Sequence, residues 1–200
     1  MVYTNRACHN KERSRQAVGI VILSTVILCM AVPALPSTAD STRVRSTNAE
    51  MLDLLREGAD RSPTFRGLVD KVASSDGIVY IEFGYCAFGH LNGCLLPFIA
   101  SSHGDRYLRV VVTPDKNQRS HDQLLALIAH ELQHALEVIE HAKVIDVATL
   151  EAMYREIGRS IPGQNHGYET SAARAAGDAV LAELFVKHPA SKTLLERGTF

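Results

Sequence analysis

Apolar positions along the chain predict helices at both ends of a folded region and strands between them. The first two helices repeat apolar residues three and four positions apart. The second of these begins at Ser62-Pro63, an N-cap followed by proline at the first helical position. The two predicted helices are 48–57, which ends at Gly58, and 63–74. Residues 40–47 are rich in Ser, Thr and Arg, and we interpret them as a linker.

β-Branched and aromatic residues predict three strands in the middle of the chain. These strands are 78–83, 94–100 and 106–112. Pro97 weakens the second strand, because proline has no backbone N–H to donate to a neighbour. The third strand carries Arg106, Tyr107 and Arg109, which indicates a solvated face or a sheet edge.

Three further helices are predicted after the strands. Ser120 with Gln123 three residues later is a capping-box pattern, and Asp146 is the expected cap of the following helix, which ends at Gly158. The first of the three is 124–141 and the last is 168–187, with a loop at 159–167. The order of helices, strands and helices predicts an α+β fold.

The first 39 residues have the layout of a secretory signal. A basic stretch precedes the uncharged apolar run 17–35, and Ser37-Thr38-Ala39 supplies small residues for cleavage. The run is also close to the minimum length of a membrane span, so an uncleaved anchor is the alternative. We therefore expect 1–39 to be a signal peptide or membrane anchor. The single domain 40–200 would then be exported to the periplasm or the extracellular space, and only an uncleaved N-terminal segment would touch the membrane.

Composition narrows the class of protein. Hydrophobic residues make up 46% of the chain and charged residues 22%, which is typical of a globular protein, and a net charge of −1 gives no reason to expect nucleic acid as a partner. Nine histidines are many for this length and suggest metal or proton chemistry. In an oxidising compartment we expect Cys86 and Cys94 to form a disulfide, with two buried free thiols as the alternative.

The residues with the clearest chemistry lie inside the long helix, as the sequence HELQH at 130–134. His130 and His134 are four residues apart and so share one helix face, where both imidazoles can bind one Zn²⁺ ion. Glu131 can lean toward the open position of that ion and accept a proton from the water there. An apolar stripe covers the other side of the helix: Leu125, Ile128, Leu132, Leu136 and Ile139.

A mononuclear site needs a third protein ligand. Glu169 is the preferred candidate, because it opens the predicted last helix and can enter the site from there. His166 is the second choice. His141 is rejected, because on an uninterrupted helix it lies about 10 Å further along the axis than His134.

These residues resemble the zincin metallopeptidases, and among them the gluzincins, whose third zinc ligand is a glutamate. The resemblance covers about residues 119–185 and implies a small zincin-like domain, with a short twisted sheet packed on the metal-binding helix and further helices after it. It implies that His130, His134 and Glu169 bind Zn²⁺ and that Glu131 is the general base. It also implies that an edge strand binds the substrate as an added strand.

Two family features are absent from the sequence. Ala173 stands where thermolysin-like members carry the Asp that orients the first histidine, and Glu137 stands where metzincins carry a glycine. Glu137 or Asp178 are our candidates for orienting the histidines. For stabilising the oxyanion, His166 is the first choice and Tyr168 and Tyr154 are the alternatives.

The resulting functional hypothesis is an exported zinc-dependent metallopeptidase that hydrolyses peptide or protein substrates by attack of a zinc-bound water assisted by Glu131. The alternative is a catalytically inactive zincin-like domain that binds a metal or a partner. A third reading is that the two histidines bind no metal.

Overall fold

Five helices and seven strands form the described part of the chain, which in the computed structural model covers residues 43–86, 91–114, 119–163 and 167–187. These residues belong to one unit, Ala39–Phe200, and form an α+β fold, as the sequence predicts. The predicted signal segment 1–39 lies outside the described residues, as does His166. None of the described helices has the length and apolar character required to cross a membrane.

A mixed five-stranded sheet forms one layer of the fold. Its strands are β1 (Val44–Arg45), β2 (Gly77–Phe83), β3 (Gly93–Leu95), β4 (Ala100–Ser102) and β5 (Asp105–Val112). β1, β2 and β5 are parallel neighbours, and β3 and β4 both pair antiparallel with the other side of β5. The prediction of one continuous strand over 94–100 is wrong: residues 96–99, which include Pro97, separate β3 from β4. The predicted linker is wrong in part, because Val44 and Arg45 pair with β2.

The helices are α1 (Ala49–Arg61), α2 (Pro63–Ala73), α3 (His121–Glu140), α4 (Val147–Ile157) and α5 (Ser171–Lys187). The predicted caps at Ser62, Ser120 and Asp146 are confirmed, since each side chain accepts a hydrogen bond from a backbone N–H of the first turn. Helix α1 does not end at Gly58. A Cβ at Gly58 would lie 2.7 Å from the Phe65 ring, so this glycine serves the packing of α1 against α2.

The hydrophobic core lies between the helices and one face of the sheet. Alternate residues of β2 and β5 face it, and the predicted apolar stripe of α3 is buried against them. The sheet contributes Val79, Ile81, Leu108 and Val110 to this core. The opposite face is more exposed, and on it the Arg109 guanidinium donates to Glu82 at 2.6 Å.

The alternative of a sheet edge at β5 is wrong, and the solvated face is confirmed for Arg109, but Arg106 lies on the buried face. β5 is paired on both sides, and Arg106 is only 5% exposed. Its guanidinium forms a two-bond ion pair with Asp76, at 2.8 and 2.9 Å. It also donates to four carbonyl oxygens at and beyond the end of α3, those of Val138, Ile139, His141 and Val144. A buried cation thus satisfies the last carbonyls of α3 and fixes this helix to the sheet.

The start of the last helix also differs from the prediction. β6 (Arg159–Ser160) and β7 (Tyr168–Glu169) form a small antiparallel pair, and α5 begins only at Ser171. The Thr170 hydroxyl accepts a hydrogen bond from the Ala173 N–H at 3.0 Å, which makes Thr170 the cap of α5. Glu169 therefore reaches the site from a strand that precedes the helix.

Candidate metal centre

Helix α3 divides its surface between the core and a candidate metal site. The apolar stripe turns one side of α3 inward, and His130 and His134, four residues apart, share another. Glu169 of β7 extends its carboxylate toward both imidazoles. One ligand atom from each of these three residues lies within 4.8 Å of the other two, so the structure brings together the three predicted ligands.

The distances from the two histidines to Glu169 are longer than those of hydrogen bonds and close to the spacing of two ligands on one ion. His130 Nε2 lies 3.5 Å from Glu169 Oε2, and His134 Nε2 lies 3.7 Å from Glu169 Oε1. Good N–H···O hydrogen bonds are about 2.7–3.2 Å long. Tetrahedral ligands at about 2.0–2.2 Å from a zinc ion lie about 3.3–3.6 Å from one another. Two nitrogens and one carboxylate, with a fourth position open, also form a typical catalytic zinc donor set.

His134 is oriented by the residue one helical turn after it. Its Nδ1 lies 3.0 Å from Glu137 Oε2, which leaves Nε2 facing Glu169. A carboxylate that accepts from Nδ1–H fixes the tautomer in which Nε2 can bind a metal. Of the two orienting candidates, Glu137 makes this contact, whereas Asp178 is exposed on α5 and acts on His130 through its charge.

Glu131 lies beside the three ligands without being one of them. It is only 4% exposed, and within the described residues nothing donates a hydrogen bond to its carboxylate. A Cβ at Gly93 of β3 would lie 2.6 Å from Glu131 Oε1, so the glycine provides the space for this carboxylate. Burial raises the pKa of Glu131 to about 7, partly offset by His134. A buried carboxylate that lacks a protein donor and titrates near neutrality suits a proton acceptor.

The surroundings shift the pKa values of the two histidines in opposite directions. Burial lowers the pKa of His130, and the neighbouring His134 lowers it further. Burial also acts to lower the pKa of His134, but the hydrogen bond to Glu137 and the charges of Glu131, Glu137 and Glu169 outweigh it and raise the pKa. The rejection of His141 as a ligand is supported, because it is exposed and its Nδ1 lies 2.6 Å from the Glu137 carbonyl oxygen.

A cleft of about 280 Å³ opens at these residues. β3 and the segment that follows it form one wall, α4 forms another, and the lining is mainly apolar. The apolar lining residues are Leu91, Leu95, Pro97, Leu127, Val147, Leu150 and Ile161. Cys94 also lines the cleft, and its disulfide to Cys86, with Cα atoms 6.1 Å apart, confirms the expected pairing.

The three residues predicted to stabilise the oxyanion lie in different places. His166, the first choice and also the second-choice ligand, lies outside the described residues. The Tyr154 hydroxyl donates to the backbone oxygen of His134 at 3.2 Å. It thus lies on the Nδ1 side of the ring, opposite the Nε2 that faces Glu169, and contacts the histidine there. Tyr168 lines the cleft and stacks on Tyr154, with ring centroids 5.9 Å apart.

Two residues of the site were not identified from the sequence. Gly93 is visible there only as one glycine among thirteen, because its role depends on a long-range approach to α3. Thr170 is buried, and its hydroxyl donates to Glu137 at 2.5 Å. A threonine two residues before an Ala-rich run is a capping signal, which could have identified the cap although not its contact with Glu137.

No protein-family model, curated protein or solved structure matches the chain.

Proposed function

We propose that the chain is an exported zinc-dependent peptidase of the gluzincin type. The observation that carries this proposal is the meeting of His130, His134 and Glu169 at one cleft, beside the buried carboxylate of Glu131, which has no hydrogen-bond donor within the described residues. The basic and apolar N-terminal sequence supports export. The Cys86–Cys94 disulfide agrees with it, because disulfides persist in oxidising compartments.

His130 and His134 would hold the ion through Nε2, and Glu169 would supply the third ligand. A bound Zn²⁺ would polarise the carbonyl of the scissile peptide and lower the pKa of a water molecule. The chain's own contribution is to keep both imidazoles fixed and one coordination position open. Glu137 fixes the imidazole of His134 by accepting from its Nδ1 side.

Glu131 would move the proton. Its position next to the ligands lets it accept a proton from the attacking water as the carbon–oxygen bond forms. It would then deliver that proton to the leaving amine nitrogen as the carbon–nitrogen bond breaks, so that the carboxylate is regenerated.

The wall of the cleft suggests how a peptide would bind. β3 pairs with β5 along one edge and lines the cleft with its residues Gly93, Cys94 and Leu95. A peptide in extended conformation would pair with the free backbone groups of such a strand. The apolar lining around Pro97 and Val147 would accept an apolar side chain next to the scissile bond.

The test combines metal analysis with peptide hydrolysis. We expect purified protein to bind one zinc per chain and to cleave peptides from a mixed-sequence library. Glu131→Gln should retain the zinc and lose activity by about 10²–10⁴-fold, the usual contribution of a general base. Glu140→Gln, the same change at an exposed position near the end of α3, should leave both unchanged. Stoichiometric zinc without turnover would favour the non-catalytic metal-binding domain, and absence of zinc would refute the site.

A further inference from the structure

Thr170 lies where the two halves of the candidate metal site meet. It is 3% exposed, follows Glu169 directly and caps α5. Its hydroxyl donates to Glu137 Oε1 at 2.5 Å, and its backbone N–H donates to Glu169 Oε1 at 2.8 Å. One buried residue thus contacts both the carboxylate that orients His134 and the carboxylate that would bind the metal.

We propose that Thr170 is a positioning residue, which links the proposed metal ligand Glu169 to the orientation of His134 through Glu137. The inference rests on the proposed metal site. Thr170 would hold the side chains of Glu137 and Glu169 in position before an ion binds.

The hydrogen bonds of Thr170 leave its hydroxyl only one arrangement. A hydroxyl has one proton to donate and can also accept. The Ala173 N–H donates to Thr170 Oγ1, so the Thr170 proton is directed to Glu137. Glu137 then has one donor on each oxygen, Thr170 on Oε1 and His134 on Oε2. Loss of the hydroxyl would leave Oε1 of this 5% exposed carboxylate without its donor and free the carboxylate to turn away from His134.

The arrangement also accounts for a difference from the gluzincin pattern. With Ala173 at the position of the usual orienting aspartate, α5 supplies no carboxylate there. The orienting carboxylate comes instead from α3, on the same helix as the histidine that it contacts. Thr170 connects that carboxylate of α3 to Glu169 and to the start of α5. The relative positions of α3 and α5 at the site therefore depend on Thr170.

The experiment compares Thr170→Val, which keeps the shape but removes the hydroxyl, with Thr170→Ser, which keeps the hydroxyl. Zinc affinity is measured by competition with a chromogenic chelator. The geometry of the site is followed by the visible absorption of bound Co²⁺. Loss of a contact that orients a ligand typically weakens metal binding by about 10–100-fold. We expect that loss and an altered Co²⁺ spectrum in Thr170→Val, and values within about threefold of wild type in Thr170→Ser.

A variant that removes the cap of another helix serves as the control for a role of Thr170 in capping alone. Asn48 caps α1 by accepting from the Met51 N–H at 3.0 Å and belongs neither to the metal group nor to the cleft lining. Asn48→Ala should therefore lower the stability without changing zinc affinity or the Co²⁺ spectrum. If Thr170→Val behaves in the same way, Thr170 is only a cap and the proposal is wrong.

Two further outcomes separate this inference from the metal site itself. A wild-type chain that binds neither zinc nor cobalt overturns both, whereas tight wild-type binding with equal affinity in Thr170→Val overturns the role of Thr170 alone. Glu137→Gln keeps the cap of α5 but changes the contact between Thr170 and residue 137. This variant replaces Thr170→Val in the experiment if Thr170→Val does not fold. Unchanged zinc affinity in Glu137→Gln would also overturn the proposal.

Discussion

Gly93 permits a sharp test of where the Glu131 carboxylate lies. In Gly93→Ala the new methyl group would lie 2.6 Å from Glu131 Oε1 and 2.9 Å from its Cδ, whereas ordinary contacts begin at 3.4 Å. The backbone has little freedom to withdraw, since Gly93 is paired with Val112 of β5 and the Thr113 N–H donates to the Asn92 carbonyl at 2.7 Å. The Glu131 side chain must therefore move.

The size of that movement sets the expected loss. To restore an ordinary contact the carboxylate must shift by about 0.8 Å, and misplacement of a reacting group by about 1 Å can cost about 10²-fold in rate. We therefore expect Gly93→Ala to lower kcat on the order of 10²-fold. Zinc binding should be retained, because the three atoms nearest to the new methyl group all belong to Glu131, which is not one of the three proposed ligands.

The assay is peptide hydrolysis with zinc content measured on the same samples. Gly67→Ala is the matched control, since Gly67 lies in α2 and a Cβ there would meet nothing within 4 Å. That variant should keep full activity and gain about 0.5–1 kcal/mol of stability, as alanine replaces glycine inside a helix. Wild-type kcat in a folded, zinc-loaded Gly93→Ala would refute the assignment of Glu131 as the base at this position.

Two further predictions concern the cleft wall and the ion pair beneath α3. Val147→Glu should lower kcat/KM by about tenfold for peptides with large apolar side chains, because it puts a charge into an apolar lining, whereas Val186→Glu at an exposed site away from the cleft should not. The hydrogen bond from Arg106 lowers the pKa of Asp76 below its ordinary value of 3.8, so this stabilisation is present at neutral pH and is lost as the pH falls through the lowered pKa. In urea unfolding with chelator present, Asp76→Asn should cost about 1 kcal/mol at neutral pH, since the carboxylate is partly exposed, and less below pH 3.8. An equal difference at both pH values would contradict this account.

The elements that the sequence predicted well are those with local signals. The caps at Ser62, Ser120 and Asp146 lie where expected, because a cap depends on residues within one turn of it. The prediction that a helix ends at Gly58 is wrong, since the role of this glycine depends on the ring of Phe65 in the next helix. The sequence does not predict the strand at Val44–Arg45, because two residues carry no periodic pattern and only pairing with β2 makes them a strand.

In the candidate site, too, the features with local signals are predictable and those that depend on long-range contacts are not. Histidines four residues apart on a helix must share a face, so the pair His130 and His134 follows from spacing alone. The sequence predicts Glu169 as the third ligand because it places this residue at the start of the last helix; the carboxylate does lie with the pair, although it arrives from β7. The role of Arg106 was not predictable, because a buried arginine is read as a solvated one until its carbonyl partners are known.

The arrangement of α3 has a cost in folding that its function would explain. Glu131 and Glu137 are both nearly inaccessible to solvent, and burial of a carboxylate is unfavourable unless donors satisfy it. Glu137 has Thr170 and His134 as donors, but Glu131 has none within the described residues, and an unsatisfied buried group costs about 1–3 kcal/mol or more. A residue of lower cost, such as leucine, would suit a helix with only a structural role. The unsatisfied carboxylate beside three converging donor groups is therefore the feature that most favours a proton-transfer site over a simple metal-binding scaffold.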